Sequence, residues 1–225
     1  MGKALKEIIR GYHVFLPKGW KRAAIYMVSL FLIMGICILA GPDLPAGVFV
    51  LLFPGTCILW ADGIIYYLIF GGYADKDSKH MEYIKSSDRG VRLYHRALVA
   101  DAARRFGSIS LIFLTVLIMI LNQHSLDTQM VFFLVGAFSV TCLMAFAASF
   151  IMGFLQNILW AFLTLGILDA VYCIAIILFS VAVTIGLHAG LLAAIILLAG
   201  GLAFLLIRGQ IAFLVKRMEG WYYDI

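Results

Sequence analysis

Apolar residues in this chain gather into long runs separated by short polar breaks. A helix needs about 20 apolar residues to cross a hydrocarbon core of roughly 30 Å, and four or more of the runs reach that length. Six helices fit the pattern best. They run from about Ala23 to Ala40, Ala46 to Gly72, Phe106 to Leu121, Gln129 to Gly153, Asn157 to Leu187 and Ala189 to Val215. The fifth exceeds a minimal span and is expected to tilt, or to break near Gly166 or Gly186. The turn before it, "MGFLQN", carries no charge, so a re-entrant fourth or fifth run is the rival arrangement.

Ahead of the first run the pattern changes. Leu5, Ile8, Ile9, Tyr12 and Leu16 recur at helical spacing, while Lys3, Lys6, Glu7 and Arg10 take the other face. Residues 1–22 therefore read as an amphipathic helix lying in the membrane interface. Pro17 and Gly19 break it, and Trp20, Lys21 and Arg22 anchor the way into the bilayer. No small-x-small cleavage signature follows the first run, so it is read as an uncleaved span.

Composition strengthens this picture. Of 225 residues, 64% are hydrophobic and only 13% charged, against about 25% charged in ordinary soluble chains. The expected fold class is all-α. It is a polytopic membrane protein with six transmembrane helices and an N-terminal interfacial helix, in one transmembrane domain over residues 1–225. Residues 73–105 form its cytoplasmic loop and helix extension.

Charge then sets the sidedness. All 17 Lys and Arg residues fall in residues 1–22, in the segment from Lys76 to Arg105, or in the last stretch from Arg208 to Arg217. The breaks Gly41–Pro45, Asn122–Thr128 and Gly186–Ala189 hold none. Translocating cations is disfavoured, which puts both termini and the long loop in the cytoplasm. The net charge of +5 is thus a membrane-surface pattern and gives no reason to invoke nucleic acid.

Three charges fall inside expected spans. Asp62, Asp169 and Arg208 lie ten, thirteen and eight residues from the nearest cytoplasmic marker, or roughly 15, 20 and 12 Å deep. Isolated charges at such depth cost several kcal/mol. An intramembrane polar cluster is expected, with Arg208 as the cation and one or both aspartates as its partner. It serves either as a polar path or as an internal salt bridge fixing helix packing; Arg208 alone could instead snorkel to the surface.

Other chemistry is sparse. Cys37, Cys57, Cys142 and Cys173 all sit in apolar runs and read as small packing residues. The sequence has no metal-ligand spacing of histidines, nucleophile elbow, P-loop or H-E-x-x-H. No catalytic, cofactor or metal residues are assigned.

The most polar stretch is "KHMEYIKSSDRGVRLYHRALVAD", Lys79 to Asp101. Met81, Tyr83 and Ile84 make a short apolar patch among charges. Ser86, Ser87 and Gly90 form turns, and a helix is expected from Val91 through the arginines into the third span. The stretch is either a docking surface for another protein or a solvated connector.

In order and placement, Glu82, Tyr83, Ile84, Ser86, Ser87 and Arg89 resemble the coupling segment in the membrane subunit of an ABC-2-type transporter. The layout as a whole is similar too: a flat N-terminal helix, six spans, both ends inside, and the longest cytoplasmic loop after the second span. The family often carries Pro in the turn, where this chain has Ser87 and Asp88.

The resemblance implies a permease subunit of an exporter in the plasma membrane, moving a hydrophobic or amphipathic substrate. It implies that ATP and Mg are bound by a separate nucleotide-binding subunit. That partner would dock on Lys79, Glu82, Tyr83, Ile84, Lys85, Arg89 and Arg92. It also implies pairing with a second copy or a related permease. Two further readings stay open: an ion-coupled secondary transporter using Asp62 or Asp169, and a membrane assembly protein that moves nothing.

Overall fold

The structure is a computed structural model, and it describes residues 55–64, 66–67, 88–123, 128–155 and 157–223. Regular structure among the described residues is helical throughout. We label the helical stretch 55–64 with 66–67 as α1. The others are α2 (Asp88–Gln123), α3 (Thr128–Met152), α4 (Ile158–Thr184) and α5 (Ala189–Tyr223). The interfacial helix 1–22, the first span and the loop residues Lys79, Glu82, Tyr83, Ile84 and Lys85 lie outside the described residues.

Among the described residues, three helices are long and apolar enough to cross a membrane: Thr128–Met152, Leu159–Thr184 and Ala189–Lys216. Their outer faces carry large exposed apolar side chains such as Trp160, Ile167, Leu178, Leu197 and Phe204. A surface of that kind belongs in lipid, because soluble proteins keep contiguous apolar patches small. The protein is a membrane protein.

The expected fourth and fifth runs are both uninterrupted helices. Nothing breaks α4 at Gly166; the helix stops at Thr184 instead. Its end is a Schellman turn. Leu187 N–H donates to the Ala182 carbonyl at 3.1 Å and Gly186 N–H to the Val183 carbonyl at 3.1 Å. Gly186 takes φ 75° there, a conformation that costs a residue with a Cβ. At the other end, Asn157 caps α4 by accepting from the Leu159 N–H, which satisfies one of the orphan donors of the first turn.

The helix α3 is apolar all round, which marks a buried helix. Half of its membrane-length window is buried, against 22% for α4 and 17% for α5, so α3 is the centre of the bundle. Phe138 meets Phe106 and Phe113 of α2 edge-on at 5.8 and 5.4 Å. Phe133 stacks on Phe179 of α4 at 6.5 Å. Phe154, just past α3, meets Phe213 of α5 at 4.7 Å. Gly136 admits the Phe179 ring into the space a Cβ would fill.

These contacts also fix direction. Early α3 meets late α4, and late α3 meets late α5, so α2 to α5 alternate up and down. The N-terminal half of α2, the turn after α3 and the C-terminal half of α5 share one end of the bundle. Hydroxyls along the helices bond back to carbonyls one turn earlier, as from Ser139 to Val135, Thr141 to Ala137 and Ser149 to Ala145. These three hydroxyls are therefore satisfied within their own helix.

Candidate functional site: a charge quartet between three helices

The buried face of α2 is a single stripe: Tyr94, Ala97, Leu98, Asp101, Arg105, Ile109, Phe113 and Val116. Their spacing by three and four is what one helix face requires. Two members are charged. Asp101 is 0% exposed and Arg105 1% exposed, although both belong to the stretch expected to be a solvated helix extension.

The two charges form an ion pair one turn apart on α2. Arg105 Nη2 lies 2.6 Å from Asp101 Oδ2. Arg105 Nη1 also donates to Ser149 Oγ of α3. The guanidinium sits over the Tyr66 ring of α1 at 4.7 Å and the Phe146 ring of α3 at 5.3 Å, where the ring quadrupoles favour a cation. Arg105 is thus held by α1, α2 and α3 together.

Arg104 extends the network. Its Nη1 donates to Asp62 Oδ1 of α1 at 2.8 Å. Its Nη2 and Nε reach Asp101 Oδ1 at 3.1 and 3.3 Å. Two guanidiniums and two carboxylates make a formally neutral quartet; Asp62, Asp101 and Arg105 are buried, while Arg104 keeps a third of its side chain exposed. Asp62 is 5% exposed, and its Oδ2 has no hydrogen-bond partner among the described residues. Gln210 of α5, also buried, approaches the Tyr66 hydroxyl beside the quartet.

The quartet sits near one end of the bundle. Ser149 lies three residues before the end of α3 at Met152, about 4.5 Å along the axis. Asp169 is elsewhere: eleven residues into α4 from Ile158, or about 16 Å in. There its Oδ2 accepts from Trp60 Nε1 at 3.2 Å.

The expected pairing of Arg208 with Asp62 or Asp169 is therefore corrected. Arg208 is exposed on α5, and no ion pair joins it to either aspartate. It lines a surface groove with His95 and Lys216. The physical reason is azimuth. Counting residues along separate helices gives similar depths, but Arg208 faces outward while Asp62 faces α2.

Arg104, Asp101 and Arg105 were the missed members. The signal for them was present: Asp101 precedes Arg104 and Arg105 by three and four residues, which is ion-pair spacing on a helix. Asp101 and Arg105 also fall in register with Ala97 and Ile109. Of the residues expected to dock a partner, Arg89 and Arg92 are described and both are exposed on the first turns of α2.

Among the described residues, no group of three or more His, Cys, Asp or Glu side chains could hold a metal ion. Comparison with family models, with curated proteins and with solved structures found no match to this chain.

Proposed function

We propose that this chain is the membrane-spanning permease subunit of an ABC-type exporter. It moves a hydrophobic or amphipathic substrate across the plasma membrane, and a separate subunit hydrolyses ATP. The reading includes six spans, both termini in the cytoplasm, and pairing with a second copy or a related permease.

The observation that carries it is the continuity of α2. This helix runs unbroken for 36 residues from Asp88, a length of about 54 Å, and its first turn carries Arg89, the last residue of the segment that resembles a coupling loop. Near its middle the quartet ties it to α1 and α3. A rigid rod tied partway along to its neighbours passes a push on its first turns to the helices it is tied to. The aromatic and salt-bridge contacts of Arg105 supply the stiffness such a lever needs.

The test is purification of the chain from its native membrane, followed by identification of what accompanies it. Recovery of an ATPase subunit, lost on Glu82→Arg or Arg89→Glu, supports the reading. Recovery of the chain alone, with no ATP-dependent transport after reconstitution, overturns it.

A second reading has an observation of its own. Asp62 Oδ2 and Asp169 Oδ1 are both buried with no hydrogen-bond partner among the described residues, so either carboxylate has a place for a proton or cation. An ion-coupled carrier follows from that. Its flux tracks a pH or sodium gradient and ignores ATP depletion.

A further inference from the structure

The groove that holds Arg208 has a specific composition. It lies between the N-terminal half of α2 and the C-terminal half of α5, with a volume of about 480 Å³. His95 and Val99 line it from α2. Arg208, Ile211, Ala212, Val215 and Lys216 line it from α5. The α5 residues recur at i, i+3, i+4, i+7 and i+8, so they form one face of that helix. No carboxylate is among the lining residues, and no described residue forms an ion pair with His95, Arg208 or Lys216.

Two features of this face have to be met by one occupant. The first is cationic: Arg208 and Lys216, spaced about 12 Å along the axis, with His95 across the groove. The second is apolar: Val99, Ile211, Ala212 and Val215 between the cations. Exposed Phe204, Leu205 and Phe213 continue the apolar surface along α5. A soluble anion satisfies only the first feature and a neutral lipid only the second.

The groove also sits at the end of the bundle that carries exposed Arg89, Arg92 and Arg96. Such an end belongs at an anionic lipid surface.

We infer that this groove binds the phosphate headgroup of an anionic phospholipid, with an acyl chain laid along α5. Arg208 and Lys216 hold the phosphate oxygens, Arg208 through its fork of N–H donors. Val99, Ile211, Ala212 and Val215, between the two cations, pack the glycerol and ester end of the lipid, and the acyl chain runs on over Phe204 and Leu205. The site requires no ATPase partner, so it stands apart from the permease reading.

The experiment is native mass spectrometry of the full-length chain in neutral detergent, titrated with phosphatidylglycerol, phosphatidylcholine or inorganic phosphate. Phosphatidylglycerol is expected to bind, and phosphatidylcholine to bind much more weakly. Arg208→Gln is expected to weaken phosphatidylglycerol roughly fivefold, and Arg208→Gln with Lys216→Gln roughly 25-fold. Arg208→Lys keeps most of the affinity. Arg89→Gln, outside the groove, leaves it unchanged.

Each of the following overturns the inference: equal binding of the two lipids, wild-type affinity in the double variant, or equal loss in Arg89→Gln, which marks diffuse surface charge. Displacement by inorganic phosphate at the lipid's own concentration overturns it too, because it marks a free-anion site. The altered side chains are exposed, so unchanged melting in phosphatidylcholine confirms that the variants fold.

Discussion

Arg104 Nη1 donates to Asp62 Oδ1 at 2.8 Å across 42 residues of sequence. This one contact joins α1 to α2 and gives a buried aspartate its counter-charge. It also explains why an acidic residue is tolerated in an otherwise apolar helix. Neutralising Arg104 takes from Asp62 the cation that bonds it, whereas Arg104 keeps Asp101 when Asp62 is neutralised.

The first prediction follows from that contact. Asp62→Asn and Arg104→Gln each lower the melting temperature of the purified chain, and the double variant loses less than the sum. A double-mutant cycle is expected to give a coupling of about 1–2 kcal/mol. Strict additivity of the two losses would show that the contact contributes nothing.

Arg105 is more deeply held, so its loss is more severe. Arg105→Met leaves Asp101 in the core without its principal partner and strips Ser149 and two aromatic rings of a cation. Breaking a buried pair from one side costs about 3–5 kcal/mol. Combining it with Asp101→Asn is expected to recover part of that cost, because no unpaired charge then remains. Unfolding in a denaturing detergent titration measures both.

Gly136 is the close approach between α3 and α4. Adding a methyl group there drives into the Phe179 ring, and overpacking of this kind costs about 1–3 kcal/mol. Gly136→Ala is expected to lower stability, with Phe179→Leu restoring much of it. A Gly136→Ala chain that melts with the wild type would mean that α3 and α4 separate freely.

At Gly186 the constraint is backbone conformation. Gly186→Ala is expected to destabilise by about 1–2 kcal/mol, since a Cβ is disfavoured in the left-handed region. Gly186→Asn is expected to cost less, because Asn visits that region more readily. Nothing lies within 4 Å of a Cβ built at this position, so a difference between the two variants reports φ and not crowding. Thermal melting of the pair decides it.

Much of the helix layout was legible in the sequence. Hydropathy alone located α3, α4 and α5 to within a few residues at most ends, because a run long enough to cross lipid has little choice of structure. Two ends departed. The last helix continues beyond Val215 to Tyr223; hydropathy stops at the basic residues, but nothing between Lys216 and Tyr223 forces the backbone to stop with it. The helix expected from Val91 starts at Asp88, where an acidic residue suits the positive end of the helix dipole.

The buried charges were legible only in part. Asp62 stood out because it interrupts an apolar run. Asp101, Arg104 and Arg105 did not, because arginines next to a polar loop look solvated. Only the register of Ala97, Asp101, Arg105 and Ile109 separates a buried stripe from a wet extension. Arg208 showed the converse: depth along a helix says nothing about which way a side chain points.

The neutrality of the quartet has a consequence for how the protein is made. Asp62 leaves α1 one unit negative in its described residues, and Asp101 with Arg104 and Arg105 leaves the core turn of α2 one unit positive. Neither segment balances its own charge, so neither is at ease alone in hydrocarbon. Each supplies the counter-charge that the other lacks, so the two segments are expected to be buried together rather than one after the other.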